Sequence, residues 1–243
     1  KWNWNEQMRT ETGTVLRDRY EIIAEIGKGG MSTVYLARDK RLESYWAVKK
    51  VKNNDRVDLD AFKKEVELLS KLSHSDIPRI VDRIEQGDAY YVVMDVIDGT
   101  SLRKMVLSEG PQEEEKIIQW AKMLCDVLHY LHGVKNTPII YRDMKPENIM
   151  LTQAGRIKLV DFGIAKECER TEPQTGTAIG TRGYAAPEQY KGASNLLDER
   201  TDIYSLGATI FFLATGVVPG MPPKGVKPVR TVNPVISEGL EYI

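Results

Sequence analysis

The first part of the chain alternates short apolar runs with turn residues, a pattern that is typical of β-strands. Strand-like segments lie at residues 20–23, 33–37, 46–51, 80–85 and 90–96. Glycines separate the first two segments, and Gly87-Asp88 separates the last two. Between the third and fourth segments, apolar residues recur every three to four positions from Asp58 to Leu72, which predicts one amphipathic helix. We therefore predict an antiparallel sheet with one long helix.

The second part of the chain has a helical pattern. Pro111 and the three glutamates that follow it are typical of a helix start, and an apolar stripe continues from there to Gly133. The segment Asp202–Thr215 is apolar on every side, so we expect it to run through a core. The change of pattern near Asp98-Gly99 predicts an α+β fold of two lobes. We place an N-terminal extension at residues 1–16, a first lobe at 17–97 and a second lobe at 98–243.

Composition excludes several broad classes of protein. Of the 243 residues 28% are charged and the net charge is −1, so no global field favours nucleic acid or a membrane surface. The two cysteines, Cys125 and Cys168, lack the spacing of a zinc site. The apolar run from Ile203 to Thr215 is too short to span a bilayer. We expect a cytoplasmic location, although a membrane anchor could lie outside this sequence because it begins with Lys1.

A polar segment in the second part carries the clearest chemical signal. Residues 141–148 read Tyr-Arg-Asp-Met-Lys-Pro-Glu-Asn, and they place an acid (Asp143), a cation (Lys145) and an amide (Asn148) close together. Phosphoryl transfer uses all three groups. The sequence Asp161-Phe162-Gly163 follows downstream and adds a second carboxylate. We interpret residues 141–148 as a catalytic loop.

A glycine-rich segment, residues 27–34, lies between the first two predicted strands. Its backbone amides can close over phosphate groups because few side chains obstruct them. A dinucleotide-binding motif is excluded because a strand, not a helix, follows the glycines. A P-loop is excluded because Gly-Lys-Ser and Gly-Lys-Thr do not occur. A simple hairpin turn remains an alternative for this segment alone.

Lys49 lies near the end of the third predicted strand, directly after Trp46-Ala47-Val48. An unpaired ammonium group in a buried strand is costly, so we expect an anionic partner. We predict that Glu65 on the following helix is this partner. Glu67 lies on a different face of the same helix, and we expect it to be exposed. The alternative is that Lys49 is an ordinary surface lysine.

Taken in order, these motifs resemble those of protein kinases. The matching residues are Gly27-x-Gly29-x-x-Ser32-x-Val34, Ala47-Val48-Lys49, Tyr141-Arg142-Asp143-x-Lys145-x-x-Asn148, Asp161-Phe162-Gly163 and Ala186-Pro187-Glu188. The amino-acid sequence of residues 180–189 is most similar to that of bacterial members of the eukaryotic-type Ser/Thr kinases. The resemblance runs from about Tyr20 to Ile243, and it implies a two-lobed protein kinase fold.

The resemblance also implies roles for individual residues, following the established template of the family. Gly27 and Gly29 would cover the phosphates of ATP, and Lys49, held by Glu65, would neutralise them. Asn148 and Asp161 would hold Mg²⁺. Asp143 would accept the proton of the substrate hydroxyl, with Lys145 near the γ-phosphate.

By similarity, the adenine ring of ATP would lie in an apolar slot. Val34 and Ala47 would form its roof, Met150 its floor and Met94 its rear, and residues Asp95 to Ile97 would form the hinge strand. Plain core packing is an alternative for each of these residues. Leu69, Ile80, Tyr141 and Phe162 match the apolar stack that aligns the two lobes in active members of the family.

The segment between Gly163 and Ala186 resembles an activation loop. We expect autophosphorylation there, at Thr175 or Thr177, with Thr171 a further candidate, because a phosphothreonine could bind Arg142. Thr181 would contact Asp143 and Lys145, which favours serine and threonine substrates. The implied partners are protein substrates, and a homodimer would allow one copy to phosphorylate another. We expect no nucleic-acid partner.

The chain departs from the family pattern in three places. Ser32 replaces the third glycine, and Tyr141 stands where histidine is usual. The family continues with further helices, one of which carries an arginine that pairs with Glu188, so we expect part of the core helix at 203–213 to face water unless other residues or a partner cover it. Two alternative functions remain, a pseudokinase that binds nucleotide without catalysis and a small-molecule kinase of related fold.

Overall fold

The computed structural model describes residues 11–29, 32–52, 59–134, 138–162, 181–191, 197–220 and 226–242. The predicted start of the first helix at Asp58, the glycine of the Asp161-Phe162-Gly163 motif, Cys168 and the candidate phosphorylation sites Thr171, Thr175 and Thr177 lie outside these residues. The chain divides into two compact units. Of the described residues, those within 11–73 and 78–97 belong to the first unit, and those within 74–77, 98–162 and 181–242 belong to the second.

The first unit is built on a six-stranded antiparallel sheet. Its strands are β1 (Val15–Leu16), β2 (Tyr20–Lys28), β3 (Ser32–Asp39), β4 (Tyr45–Lys52), β5 (Ile80–Gln86) and β6 (Ala89–Asp95), in the order β1-β2-β3-β4-β6-β5. The meander predicted from the sequence is confirmed. The sheet begins before the boundary that we placed after residue 16, because Val15 and Leu16 pair with β2 and Leu16 is fully buried.

One helix of the described residues, α1 (Leu59–Leu69), lies between β4 and β5 in the sequence. Its apolar stripe is buried at Phe62, Val66 and Leu69, as the three-to-four spacing predicts. Phe62 packs edge-on against Tyr90 of β6, with ring centroids 5.5 Å apart. The helix ends at Leu69, three residues earlier than predicted, and Ser70 and Lys71 form a turn.

The second unit is mainly helical. Its helices are α2 (Leu102–Glu109), α3 (Glu114–His132), α4 (Glu199–Thr215), α5 (Val229–Val232) and α6 (Glu238–Glu241). A small antiparallel sheet joins β7 (Gly99–Ser101), β8 (Ile149–Thr152) and β9 (Ile157–Leu159). Short 3₁₀ turns occupy Pro146–Asn148 and Pro187–Lys191. Among the described residues, no helix is both long and apolar enough to cross a bilayer.

Helix α4 is the core helix predicted from the apolar run at residues 202–215. Leu206, Phe212 and Leu213 are buried, as expected. The side chain of Ile203 is 54% exposed, so part of this helix faces water, which was the second expectation from the sequence. This face of the helix lines an open groove.

Candidate functional site

The candidate functional residues fall into two groups, one in each unit, and each group has its own geometry. In the first unit, the glycine-rich segment joins β2 to β3, and the Gly29 N–H donates to the Ser32 carbonyl over 2.8 Å. A Cβ atom added at Gly27 would lie 3.7 Å from Val34 Cβ, and one added at Gly29 would lie 3.6 Å from Ser32 O. Both distances are ordinary van der Waals contacts. Packing among the described residues therefore does not require glycine at either position.

The predicted nucleotide-binding side chains share one face of the large sheet. Val34 lies opposite Lys49, and Met94 lies opposite Ala47. Because directly opposed residues and those two apart along a strand point to the same side, these four side chains lie together. The other face of the same strands packs into a core that contains Tyr35, Val48 and Val93 among others. The register of the sheet thus separates a packing face from a candidate ligand face.

Lys49 is only 6% exposed, so the interpretation as a surface lysine is excluded. Glu65 lies half-buried on α1, and its pairing with Lys49 stays a prediction. Glu67 is exposed, as expected, and accepts a hydrogen bond from Lys71 over 3.1 Å.

At the far end of β6, Arg79 donates two hydrogen bonds to the Asp95 carboxylate over 3.0 and 2.9 Å.

In the second unit, Asp143 is the centre of a network of polar side chains. Asn148 Nδ2 donates to Asp143 Oδ2 and to the Asp143 carbonyl, both over 2.9 Å. The Lys145 ammonium lies 2.9 Å from the same Oδ2 atom. The Thr181 hydroxyl donates to Asp143 Oδ1 over 3.1 Å and accepts from Lys145 over 2.9 Å. The contacts of Thr181 with Asp143 and Lys145 are those that the sequence predicted.

Two residues of this group, one in the catalytic loop and one after β9, have an uncommon backbone conformation. Arg142 has φ of +66° and Asp161 has φ of +58°, which lie in the left-handed region that non-glycine residues seldom adopt. Such conformations cost of order 1 kcal/mol or more and persist where surrounding contacts maintain them. Gln189 supplies one such contact, because its side-chain amide nitrogen, Nε2, donates to the Arg142 carbonyl over 2.9 Å.

A fully buried carboxylate, Asp202 of α4, supplies further contacts to the loop. Asp202 Oδ1 accepts from the Arg142 N–H over 2.7 Å, and Oδ2 accepts from the Tyr141 N–H over 2.8 Å. His132 Nε2 lies 2.8 Å from the same Oδ2 atom. Sequence reasoning missed the roles of Asp202 and Gln189. The only signal for Asp202 was an acid in the first turn of an apolar helix, and helix starts favour acids for electrostatic reasons alone.

Tyr141, at the position where the family usually has histidine, is buried and takes part in both apolar and polar contacts. Its ring meets Phe162 edge-on, with centroids 5.1 Å apart. Burial, together with the carboxylates of Asp143, Asp161 and Asp202, raises the pKa of Tyr141 well above its usual value. The phenol therefore stays protonated and donates to the Val160 carbonyl over 2.5 Å.

The two predicted magnesium ligands lie at the same end of the β8–β9 hairpin. Asn148 directly precedes β8 and Asp161 follows β9, and the Val160 N–H donates to the Asn148 carbonyl over 2.8 Å. The hydrogen bonds of Asn148 Nδ2 direct its Oδ1 atom to serve as an acceptor or ligand. Mg²⁺ prefers such oxygen donors and usually takes only one or two protein carboxylates, with phosphates and water completing its shell. The donor set therefore fits Mg²⁺.

Comparison with known proteins gives consistent matches. A family model described as "Protein kinase domain" matches residues 20–231. Serine/threonine-protein kinase PrkC of Bacillus subtilis (strain 168) is 34% identical over 211 residues, covering 85% of this chain and 32% of PrkC. Serine/threonine-protein kinase PknB of Mycobacterium tuberculosis (strain ATCC 25618 / H37Rv) is 37% identical over 218 residues, covering 86% of this chain and 34% of PknB. The chain thus spans about a third of the length of these relatives.

A solved structure matches the fold as well. The crystal structure of Rad53 1-466 in complex with AMP-PNP aligns with a TM-score of 0.68 at 27% identity. The alignment covers 85% of this chain and 51% of that chain.

Proposed function

The chain belongs to the protein kinase family, and from this premise we propose that it transfers the γ-phosphoryl group of ATP to serine and threonine hydroxyls of proteins, with Mg²⁺ as cofactor. The predicted resemblance to bacterial Ser/Thr protein kinases and the predicted α+β kinase fold are confirmed. Substrates, nucleotide, metal and individual residue roles belong to the proposal.

The network around Asp143 is the observation that carries this proposal. A general base must lie within hydrogen-bond reach of the proton that it accepts. The Thr181 hydroxyl already donates to Asp143 Oδ1 over 3.1 Å, and the hydroxyl of a serine or threonine substrate would need to make the same kind of contact. Asn148 and Lys145 hold the other carboxylate oxygen, so they orient Asp143 for this role.

The remaining roles follow from charge and position. Lys145 would stabilise negative charge that develops on the transferred phosphoryl group, since its ammonium lies beside Asp143. Asn148 and Asp161 would hold Mg²⁺, which supplies charge neutralisation to the phosphates when bound. In the first unit, the loop that contains Gly27 and Gly29 would cover the phosphates, and Lys49, held by Glu65, would neutralise them. Val34, Ala47, Met94 and Met150 would contact the adenine ring, and the backbone of Asp95 to Ile97 would bind its polar edge.

The names of the relatives support a protein substrate over a small molecule. Both PrkC and PknB are named serine/threonine-protein kinases. The Rad53 structure contains AMP-PNP, an analogue of ATP, which supports nucleotide binding by this fold. We extend the proposal to autophosphorylation of Thr171, Thr175 or Thr177 between the two copies of a homodimer, and to action in the cytoplasm.

The test is an Asp143→Asn variant assayed with MgATP and a generic basic protein. Positioned acid–base catalysis contributes about 10² to 10⁴ in rate, so turnover should fall by that factor. Nucleotide affinity should stay within about 2-fold, because Asp143 acts on the hydroxyl and not on ATP. Intact-mass analysis of the same incubations should show added phosphate on the unmodified chain and none on the variant.

Asp126→Asn is the matched control, because Asp126 is an exposed carboxylate on α3 outside the network. Its turnover should equal that of the unmodified chain. Full turnover by Asp143→Asn would refute the assigned base. Phosphorylation of an aminoglycoside but not of protein would instead favour a small-molecule kinase, and nucleotide binding without any transfer would favour a pseudokinase.

A further inference from the structure

A polar pocket lies within the first unit, beside α1 and on the same face of the sheet as Lys49. It has a volume of about 390 Å³ and lies against α1, β5 and the turn between β1 and β2. Four cationic side chains line it, namely Arg17, Lys63, Lys64 and Arg83. We call it the basic pocket.

Two acidic residues also line the basic pocket, and each has a cationic partner. Glu85 lies 2.8 Å from the Lys63 ammonium. Glu67 accepts a hydrogen bond from Lys71 over 3.1 Å, and Lys71 lies in the turn after α1 and does not line the pocket. The negative charge of both glutamates is therefore largely compensated by these partners.

The cations do not all have such partners. Arg17 lies 3.6 Å from the Asp82 carboxylate, so its charge is compensated in part. Lys64 and Arg83 are exposed, and their side chains form no hydrogen bond or ion pair with the residues that the structure describes. The charge of Arg83 nevertheless acts on Glu67 and helps to lower its pKa. Four cations and two glutamates line the pocket, so it has an excess of two positive charges, which matches a dianion. A phosphomonoester carries a charge of about −1.5 to −2 at neutral pH.

The wall of the pocket offers a neutral donor beside these cations. Tyr90 is 4% exposed, and its ring packs against Phe62. Burial raises the pKa of Tyr90. The positive charges of Arg83, Lys63 and Arg17 oppose this rise, so these three cations lie near the Tyr90 hydroxyl. The hydroxyl remains protonated at neutral pH and makes no hydrogen bond with the described residues, so it can donate to a bound oxygen.

We propose that the basic pocket binds a phosphorylated serine or threonine side chain of a protein, with Lys64, Arg83 and the Tyr90 hydroxyl as its ligands. Charge-assisted hydrogen bonds from lysine and arginine are the usual means of binding a phosphate group. The choice of a protein-borne phosphate rests on the proposed function, because the product of a protein serine/threonine kinase is this chemical group. Since Lys64 belongs to α1 and Arg83 to β5, an occupied pocket ties the helix that carries Glu65 to the sheet.

The proposal is tested by calorimetric titration of the 243-residue chain without nucleotide. The ligands are a phosphothreonine peptide, the same peptide without phosphate, and inorganic phosphate. We expect the phosphopeptide to bind at least about 10-fold more tightly than either of the others. The double variant Lys64→Gln/Arg83→Gln should weaken phosphopeptide binding by about 10-fold or more, because two charge-assisted contacts are lost.

The matched control is Lys104→Gln/Arg38→Gln, which removes an exposed lysine and an exposed arginine outside the pocket. Its affinity for the phosphopeptide should stay within about 2-fold, and thermal unfolding should confirm that both double variants fold. Equal weakening in both double variants would overturn the assigned site. Equal affinity for inorganic phosphate and phosphopeptide would overturn the protein-borne ligand.

The result is distinguishable from a failure of the proposed function. Binding requires neither nucleotide nor turnover, so the Asp143→Asn variant should bind the phosphopeptide as tightly as the unmodified chain. A chain that phosphorylates protein but does not bind the phosphopeptide would refute the basic pocket alone.

Discussion

At the scale of single residues, the candidate catalytic loop depends on a carboxylate that is distant in sequence. Asp202 accepts hydrogen bonds from the backbone N–H groups of Tyr141 and Arg142, and it is fully buried. These bonds hold Arg142 in its left-handed conformation, directly before Asp143. We therefore assign Asp202 as a positioning residue that acts through the loop and not on the substrate.

We predict that Asp202→Asn lowers kcat by about 10²-fold, since a displacement of about 1 Å at a reacting group has an effect of this size. The amide can place only one acceptor oxygen where the carboxylate placed two, so one loop N–H group would face an NH₂ group. The KM for ATP should change by less than about 3-fold, because the loop and not the nucleotide contacts are altered. Steady-state kinetics provide the measurement.

The same substitution should lower the free energy of unfolding by about 1–3 kcal/mol, because a buried donor loses its partner. Asp126→Asn again serves as the control and should leave kcat and stability unchanged. An Asp202→Asn variant with normal kcat would show that the loop keeps its conformation without this carboxylate.

At the scale of elements, a capping side chain marks the start of α4 and a glycine in the left-handed conformation marks its end. Asp198 accepts from the Arg200 N–H over 2.9 Å and caps the start. Gly216 has φ of +72° at the end, and its N–H donates to the Phe212 carbonyl over 2.8 Å. Gly207 lies inside the helix, and a Cβ atom there would meet nothing within 4 Å. A side chain would therefore be tolerated at position 207 and would strain the backbone at position 216.

We predict that Gly207→Ala raises the free energy of unfolding by about 0.5–1 kcal/mol, because alanine loses less backbone entropy in a helix. Gly216→Ala should lower it by about 1–2 kcal/mol, because a side chain disfavours the left-handed conformation. Urea unfolding with an unchanged m-value would measure both. Effects of the same sign would contradict the assigned ends of α4.

At the scale of the whole molecule, the described part of the chain exposes a long apolar groove in the second unit. The groove has a volume of about 750 Å³ and is lined by α4, α5 and α6, with Ile203, Ile210, Phe211, Val229 and Leu240 among its residues. Contiguous apolar surface of this kind binds partners or apolar ligands, or promotes association. The exposure of Ile203 agrees with the expectation from the sequence that part of this helix faces water.

We predict that Ile203→Ser reduces binding of an environment-sensitive hydrophobic dye to the folded chain. Its free energy of unfolding should change by less than about 0.5 kcal/mol, because the side chain is already 54% exposed. Leu206→Ala, at a position on the same helix that is 5% exposed, should cost about 2–5 kcal/mol.

Leu107→Ser is the control for the dye, because Leu107 is 66% exposed on α2 and does not line the groove. Dye fluorescence and urea unfolding provide the two measurements. A loss of dye binding in Leu107→Ser equal to that in Ile203→Ser would show that the groove is not the binding surface.

The sequence by itself determined the long elements and the order of the motifs. The strands β2 to β6, the stripe of α1 and the start of α3 follow from local periodicity, which a few consecutive residues encode. The kinase motifs could be read because their residues lie close together in the chain. Short elements such as β7 and α2 were missed, since three to eight residues carry too little periodic pattern.

Only the tertiary structure decided which residues meet across long stretches of chain. The contacts of Asp202 with the loop at residues 141–142 and the hydrogen bond from Gln189 to the Arg142 carbonyl are examples. The basic pocket is another, because Arg17, Lys64 and Arg83 have no common motif. Burial and hydrogen bonding between distant segments depend on how elements pack, and local sequence patterns do not encode that packing.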